Sequence, residues 1–343
     1  MRILFIINSL KNKSGSERVA VELANRLSIE KDFYITIINR ESNQNTTAYP
    51  VFNTVKILDF PGNKAKFFLN LNQHIKKINY DYIVIHNMGK LSLLCSLLPK
   101  KSKLISLEHV AFISRPKSIQ YFSQFMYKKF HQIITLTKSD YEQFSSFHNN
   151  VLTIPNFSPF LITHCKDKEN NIVAIGRLTE QKNFLHLLQA WEKVYQKIPE
   201  WHLNIYGNGE QFLLLNNFIK THQLQNISLS GETSDIKSVY EKSKLFVMSS
   251  KYEGLPMVLI EAQSFGLPII SYNCPFGPAD IISDGESGFL VEDQNPEQLG
   301  AAILKLATSP NLLNDFSKHS LINAEKYQPS KIINTWINEV FSR

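Results

Sequence analysis

The chain has 343 residues, 43% of them hydrophobic and 20% charged, and a net charge of +7. That length exceeds what one hydrophobic core ordinarily serves, and the composition is that of a folded protein of two domains, not of a disordered or fibrous chain. No apolar run reaches 18 residues, because the longest, 91–98, is broken by serines, so no membrane-spanning helix is expected.

The first apolar run, at 3–8, is too short for a signal peptide and reads as a buried strand. A helix is expected at 17–27, where Val19, Val21, Leu23, Ala24 and Leu27 share helical spacing. Strands follow at 34–39, 82–86, 103–107 and 133–137, then a helix at 140–147 capped by Asp140, and a strand at 151–154. Pro155-Asn156-Phe157-Ser158-Pro159, with the polar stretch 166–171, reads as a linker. The same grammar then restarts. Strands are expected at 171–175, 202–206, 227–230, 245–248 and 268–272. Helices are expected at 184–197, 211–222, 237–242, 257–265, 296–308 and 329–343. Two successive β/α series predict an α/β protein with two Rossmann-like parallel-sheet domains facing each other, at 1–160 and 161–325, with 326–343 as a closing helix. Ligands of such sheets bind at the carboxyl ends of strands, which predicts a site in the cleft between the domains. The three cysteines, Cys95, Cys165 and Cys274, show no metal spacing and suit a reduced cytoplasmic compartment.

Glu253-Gly254-Leu255-Pro256-Met257-Val258-Leu259-Ile260-Glu261 carries the densest signal. Gly254 and Pro256 read as loop and helix start, and Gly266 as the helix stop. A helix start offers unpaired N–H groups and the positive end of a dipole, hence an anion site. Glutamates on either side of it suit a ligand with phosphate in the middle and hydroxyls at both ends, such as a nucleotide sugar. Gly176-Arg177-Leu178-Thr179-Glu180-Gln181-Lys182-Asn183 follows a predicted strand. Arg177 and Lys182 either converge on a diphosphate or are solvated loop charges.

Strand–Gly176-Arg177-Leu178-x3-Lys182-Asn183, then Tyr206-Gly207-Asn208-Gly209, then Glu253-Gly254-Leu255-Pro256-x4-Glu261 together resemble the retaining family 4 glycosyltransferases of the GT-B fold. Ser14-Gly15-Ser16-Glu17-Arg18 extends the resemblance toward the N-terminus, with Ser14 and Ser16 where the family often has glycine and alanine. Cys274-Pro275-Phe276-Gly277-Pro278-Ala279-Asp280-Ile281-Ile282 is similar to a subset that builds bacterial surface polysaccharides, including amylovoran and lipopolysaccharide enzymes.

The resemblance implies roles. Glu253 would take hydroxyls of the donor hexose and Glu261 the ribose hydroxyls. Arg177 and Lys182 would hold the diphosphate, helped by the amides of Leu255, Met257 and Val258. Gly15 would let its loop approach the donor without a Cβ in the way. Gly207 and the Gly231-Glu232-Thr233 loop would lie at the nucleoside, with Glu232 on the uracil side. His109, after a strand in Leu107-Glu108-His109, would face the donor sugar and the reacting centre, although a plain cleft histidine is the alternative. His86 ranks below it as an acceptor-side contact or plain structure. Gly277 and Pro278 shape a loop before a helix capped by Asp280, and Asn156 reads as structural. The closing helix would cross back to the first domain, as in the family.

No Asp-x-Asp is present, so metal-bridged diphosphate binding is not expected, and no cofactor is. No Gly-x-Gly-x-x-Gly or Walker loop follows a strand, which argues against NAD and NTPase readings. The first 160 residues hold 21 Lys and Arg against 10 Asp and Glu, and the remainder 16 against 20, balances of +11 and −4. Around 119–130, Ile119, Phe122 and Met126 share one helical face beside Phe125, with lysines adjacent. That face either packs on its own sheet or docks on an anionic membrane. No nucleic-acid module is recognised. The expectation is a metal-independent, cytoplasmic enzyme peripheral to the inner membrane face, of lipopolysaccharide or capsule type. It would move a hexose or N-acetylhexosamine from a UDP-sugar to a glycan or lipid-linked glycan. The alternatives are an epimerase of the same fold and a non-catalytic protein that binds anions or nucleic acid.

Overall fold

The computed structural model of the protein describes residues 1–11, 15–40, 47–87, 89–99 and 101–341. The readings attached to Ser14 and to the end of the 329–343 helix fall outside these residues. The chain divides into two compact units, one of Met1–Asn156 with Ile332–Arg343 and one of Phe157–Lys331.

In the first unit the strands are β1 (Arg2–Ile7), β2 (Tyr34–Asn39), β3 (Lys56–Asp59), β4 (Tyr82–Asn87), β5 (Lys103–Glu108), β6 (Gln132–Thr135) and β7 (Val151–Thr153). They form one parallel sheet in the order β3-β2-β1-β4-β5-β6-β7. β1 is central, with Leu4 paired to Thr36 on one side and Ile83 on the other. Its run Ile3-Leu4-Phe5-Ile6-Ile7 is buried throughout, which is why it is continuously apolar and does not alternate. In the second unit β8 (Asn171–Ile175), β9 (His202–Tyr206), β10 (Ile227–Gly231), β11 (Leu245–Met248), β12 (Ile269–Tyr272) and β13 (Gly288–Val291) form a second parallel sheet, in the order β10-β9-β8-β11-β12-β13. Both orders are of the doubly wound kind. Each sheet reverses direction once, between β1 and β4 in the first and between β8 and β11 in the second. At such a switch point the loops leaving two neighbouring strands diverge and open a crevice.

Several elements differ from their sequence reading. The helix Phe184–Glu192 stops short and the chain tightens into a 3-10 turn at Tyr195–Lys197, a change that buries Val194, Ile198 and Trp201. Asp140 is not a cap: Thr137 accepts from the Asp140 amide at the start of Lys138–Ser145, and the Asp140 carboxylate accepts from the Phe112 amide. Asp280 does not cap either, because the turn Pro278–Ile281 begins at Gly277 and holds Asp280 inside it. β3, β13 and the helices Lys64–Lys77, Leu91–Cys95 and Pro310–Ala324 have no counterpart in the sequence reading. In Lys64–Lys77 only Phe67, Leu71 and Ile75 are buried, one residue per turn among lysines.

The last helix, Pro329–Thr335, runs into a π-helical turn at Trp336–Val340. Buried Phe341 stacks on Trp336 and meets the ring edges of Phe33 and Tyr82 at centroid distances of 6.1 and 5.1 Å. The end of the chain thus completes the core at the amino edge of the first sheet.

Candidate active site

In the second unit the site is built at the β8/β11 switch point. β8 ends at Ile175 and passes into Gly176-Arg177, while β11 ends at Met248 and passes into Ser249-Ser250. The two loops are laced together. The Lys251 amide donates to Gln181 O at 2.8 Å, Gln181 Nε2 donates to Tyr252 O at 3.0 Å, and Ser249 Oγ donates to Lys182 O at 2.9 Å. Lys182 Nζ lies 2.6 Å from Glu253 Oε1, with both side chains largely buried. The Lys182 stem crosses the α-carbon of Gly176, where an added Cβ would meet it at 3.1 Å. Gly176 has no positive φ, so its smallness serves the lysine and not a turn. Arg177 is exposed, and its guanidinium has no carboxylate partner among the described residues. The structure therefore brings Lys182 and Glu253 together and leaves Arg177 free to reach a ligand beside them.

A third loop backs this pair. The Gly176 amide donates to Tyr206 O and the Leu178 amide to Asn208 O. A Cβ at Gly207, where φ is +141°, would sit 1.9 Å from Gly176 O. A Cβ at Gly209 would sit 2.3 Å from Leu178 O. The space these glycines leave is filled by the neighbouring backbone, so Gly207 supports the Arg177–Lys182 loop and its small size needs no nucleotide to explain it.

Leu255 and Pro256 lead into the helix Met257–Ser264, whose first turn has no side-chain cap. The amides of Met257 and Val258 open it, while the Leu259 amide already donates to Pro256 O. Past Ser264, the Gly266 amide donates to Gln263 O and the Leu267 amide to Ala262 O, with Gly266 at φ +64°. This is the Schellman stop expected of that glycine. A Cβ at Gly277 would lie 2.3 Å from Gly254 O, so the loop after β12 is pressed onto the start of this segment. Glu261 is buried in the helix and accepts from Tyr240 OH at 2.9 Å. Tyr240 was not singled out in the sequence, and no local spacing connects it to a residue 21 positions away. Cys274, close to Glu253, has its thiol pushed up to about 12, chiefly by burial, and stays protonated. Glu232 is exposed just past β10.

In the first unit His109 follows β5, and its Nε2 lies 3.1 Å from Nδ1 of His86 on β4, with the rings stacked. Burial pushes the partly exposed His109 down to about 4. Burial, then the neighbouring ring, holds fully buried His86 well below its usual value. Both rings are neutral at pH 7, so one donates to the other. His86 Nε2 is buried without a partner among the described residues. A buried acceptor is cheaper to leave unmatched than a buried N–H. His86 therefore carries its proton on Nδ1 and donates to His109 Nε2, which leaves His109 with an Nδ1–H donor.

Behind His109 lies a buried charge network. Glu108 pairs with Arg115 and accepts from Ser106 Oγ and Asn87 Nδ2, and Asn87 Nδ2 also reaches Tyr127 OH at 2.8 Å. Asn87 Oδ1 takes the amides of Gly89 and Ser92. The network fixes the loops that leave β4 and β5, and with them the backbone that carries His109. Gly15 opens the helix Gly15–Ser28, and a Cβ there would meet nothing within 4 Å.

The helix Lys117–Met126 settles one of the two alternatives left by its sequence, packing of Phe122 on the sheet. Ser123 is its buried residue, while Tyr121, Phe122 and Phe125 are 72%, 55% and 70% exposed. Phe122 does not pack on the sheet. Lys117, Lys128 and Lys129 are exposed around this ridge. Among the described residues no helix is long and apolar enough to cross a membrane.

Residues 162–321 match the family described as glycosyl transferases group 1. The chain is 33% identical to the amylovoran biosynthesis glycosyltransferase AmsD of Erwinia amylovora, over 98% of each chain. It is 26% identical to a Campylobacter jejuni α-1,4-N-acetyl-D-galactosaminyltransferase named for its diNAcBac-PP-undecaprenol-linked acceptor, over 98% of this chain and 97% of that one. Among solved structures, that of Anabaena Alr3699/HepE in complex with UDP-glucose matches over the whole of both chains, with a TM-score of 0.80 at 16% identity.

Proposed function

The chain belongs to the group 1 glycosyltransferases, with the GT-B fold, and on that premise we propose that it transfers a hexose or N-acetylhexosamine from a UDP-sugar, with retention, to a bacterial surface glycan or its lipid-linked precursor. The observation that carries this reading is the Lys182–Glu253 contact, which joins the loops of β8 and β11 beside the uncapped helix start at Met257. A cation, a hydroxyl acceptor and free amides within one crevice match a sugar diphosphate. HepE's complex with UDP-glucose and the lipid-linked acceptor of the Campylobacter relative support the donor and acceptor classes.

Arg177 and Lys182 take the diphosphate in place of a bridging divalent ion, and Glu253 exchanges Lys182 for sugar hydroxyls. Glu261, held by Tyr240, takes the ribose, and Glu232 lies at the base. The bond between the anomeric carbon and the β-phosphate oxygen breaks, and its electron pair leaves with UDP. The acceptor hydroxyl oxygen bonds to that carbon on the same face and gives its proton to the departing phosphate oxygen. Arg177 and Lys182 stabilise the charge that develops there. His109 donates its Nδ1–H to the donor sugar. The second unit holds the donor and the first the acceptor, and the first unit docks on anionic lipid through Tyr121, Phe122, Phe125 and the lysines around them.

Purified protein is screened with UDP-sugars and a bacterial lipid extract, following UDP release. Release with one donor is expected. No release with any donor, together with no thermal shift by UDP, overturns the reading.

A further inference from the structure

The carboxyl edge of the first sheet holds a second feature beside His86 and His109. A cavity of about 200 Å³ opens where β1, β2 and β4 end, with Asn8, Arg40, Lys64, Lys90, Leu91 and Leu94 as its described lining residues. Asn8 follows β1 and Arg40 follows β2, whereas Lys90 stands between β4 and the helix Leu91–Cys95, and Lys64 opens the helix Lys64–Lys77. Four separate chain segments thus bring three cations to the β1/β4 switch point, where a doubly wound sheet opens its crevice. No carboxylate lines the cavity among the described residues. Lys64 and Lys90 are exposed and enter no ion pair among them. Leu91 and Leu94 add an apolar wall. Strands lie about 4.8 Å apart, so the cavity spans roughly 5 to 15 Å along the sheet edge from His109 after β5.

We propose that this cavity binds a phosphate or diphosphate ester on the acceptor, seated on Arg40, Lys64 and Lys90 with its carbon chain against Leu91 and Leu94. The inference rests on the reading of the first unit as the acceptor side. Three cations around one cavity, with no carboxylate among its described lining residues, match two or three anionic oxygens better than a neutral sugar. The volume admits one phosphoryl group and the first atoms of what it carries, not a nucleotide. A phosphate anchored there leaves the hydroxyl-bearing end of the acceptor free to extend along the sheet edge toward His109. The two sources of such a group are a polyprenyl diphosphate carrier and a glycan with phosphate in its own chain.

The full chain is saturated with UDP, so that the Arg177–Lys182 site is filled, and titrated with inorganic pyrophosphate, a water-soluble isoprenyl diphosphate and a glycerol-phosphate oligomer. Lys64→Ala with Lys90→Ala is expected to weaken the tightest of these at least tenfold and leave UDP affinity unchanged. Lys64→Arg with Lys90→Arg is expected to retain binding. Isoprenyl diphosphate binding tenfold tighter than pyrophosphate assigns the lipid carrier, and preference for the oligomer assigns a phosphate-bearing glycan. The proposal is overturned if none of the three binds the UDP-saturated protein, or if the double alanine variant binds as tightly as the parent. If UDP itself fails to bind, the donor reading fails, and the same titrations without nucleotide still decide the cavity by the effect of the alanine variant.

Discussion

Glu253→Gln should tighten the binding of UDP while it lowers transfer. In the unliganded protein Lys182 is held at 2.6 Å by Glu253, and the two side chains are 18% and 9% exposed. UDP without its sugar has no hydroxyl to offer Glu253, so its diphosphate must compete with that carboxylate for the lysine. Exposed pairs are worth about 0.2–1 kcal/mol, and removing one partner of a fully buried pair costs about 3–5 kcal/mol. This pair lies between those limits, and about 1–2 kcal/mol is the energy UDP must displace. At about 1.4 kcal/mol per factor of ten, the glutamine variant should bind UDP roughly five- to thirtyfold more tightly. Transfer from a UDP-sugar should fall, because the amide cannot accept sugar hydroxyls as the carboxylate does. Calorimetric titration of UDP into the parent, Glu253→Gln, Lys182→Ala and the double variant closes a thermodynamic cycle. Weaker or unchanged UDP binding by Glu253→Gln would refute the competition, and would mean that the carboxylate orients Lys182 for phosphate.

Gly207→Ala places a Cβ 1.9 Å from Gly176 O at a φ of +141°. It should cost more than about 2 kcal/mol in urea unfolding, and UDP affinity should fall with it because the shelf under Lys182 moves. Gly15→Ala meets nothing within 4 Å at a helix start. It should leave stability in urea unfolding unchanged or raise it by up to about 1 kcal/mol, while a fall in transfer with stability retained would show that the donor approaches there. His109, pushed down to about 4, and His86, held well below its usual value, are neutral when folded but titrate near 6.5 when unfolded. The unfolded chain therefore binds more protons in that window, and stability is full above about pH 6.5 and declines as pH falls toward 4. His86→Asn with His109→Asn should flatten the change in urea midpoint between about pH 7.5 and about pH 5, and an unaltered slope would contradict the neutral pair. Phe122→Ser with Phe125→Ser should reduce flotation with phosphatidylglycerol vesicles and spare UDP binding, and equal flotation would remove the aromatic ridge from the membrane reading.

Elements whose residues are buried on every side could be read from the sequence. β1 and β8 are continuous apolar runs because helices or neighbouring strands cover both of their faces. β3 escaped notice because its four residues are only partly buried at a sheet edge, and Lys64–Lys77 because three buried residues in fourteen are outnumbered by lysines. In the candidate site, the placement of Arg177, Lys182 and Glu253 was legible because their loops leave the ends of β8 and β11, where this architecture gathers ligand groups. What sequence spacing does not carry is which object fills a given space. At Gly207 the need for a glycine was visible, but the neighbour that imposes it is Gly176 O and not a nucleotide. A helical wheel marks Phe122 and Ile119 as one side of a helix without saying which way that side turns, and burial of Ser123 turned Phe122 outward. The Tyr240–Glu261 bond and the Glu108–Arg115 network join residues whose proximity arises only from the packed sheets.

Phe341 and Trp336 belong to the unit that begins at Met1, so this unit is assembled from both ends of the polypeptide. On the ribosome its sheet is synthesised early but lacks its closing aromatic layer until residues past Ile332 emerge. At about 5–20 residues per second that delay is on the order of ten to forty seconds. In that interval Tyr82 and Phe33 have no partner from the chain's end, and the nascent sheet presents an uncovered aromatic surface to chaperones. The second unit, continuous from Phe157 to Lys331, meets no such delay and can close as it is made. The part synthesised first is therefore the part completed last, and a stop codon between Lys331 and Trp336 would leave the second unit complete beside a first unit that lacks part of its core.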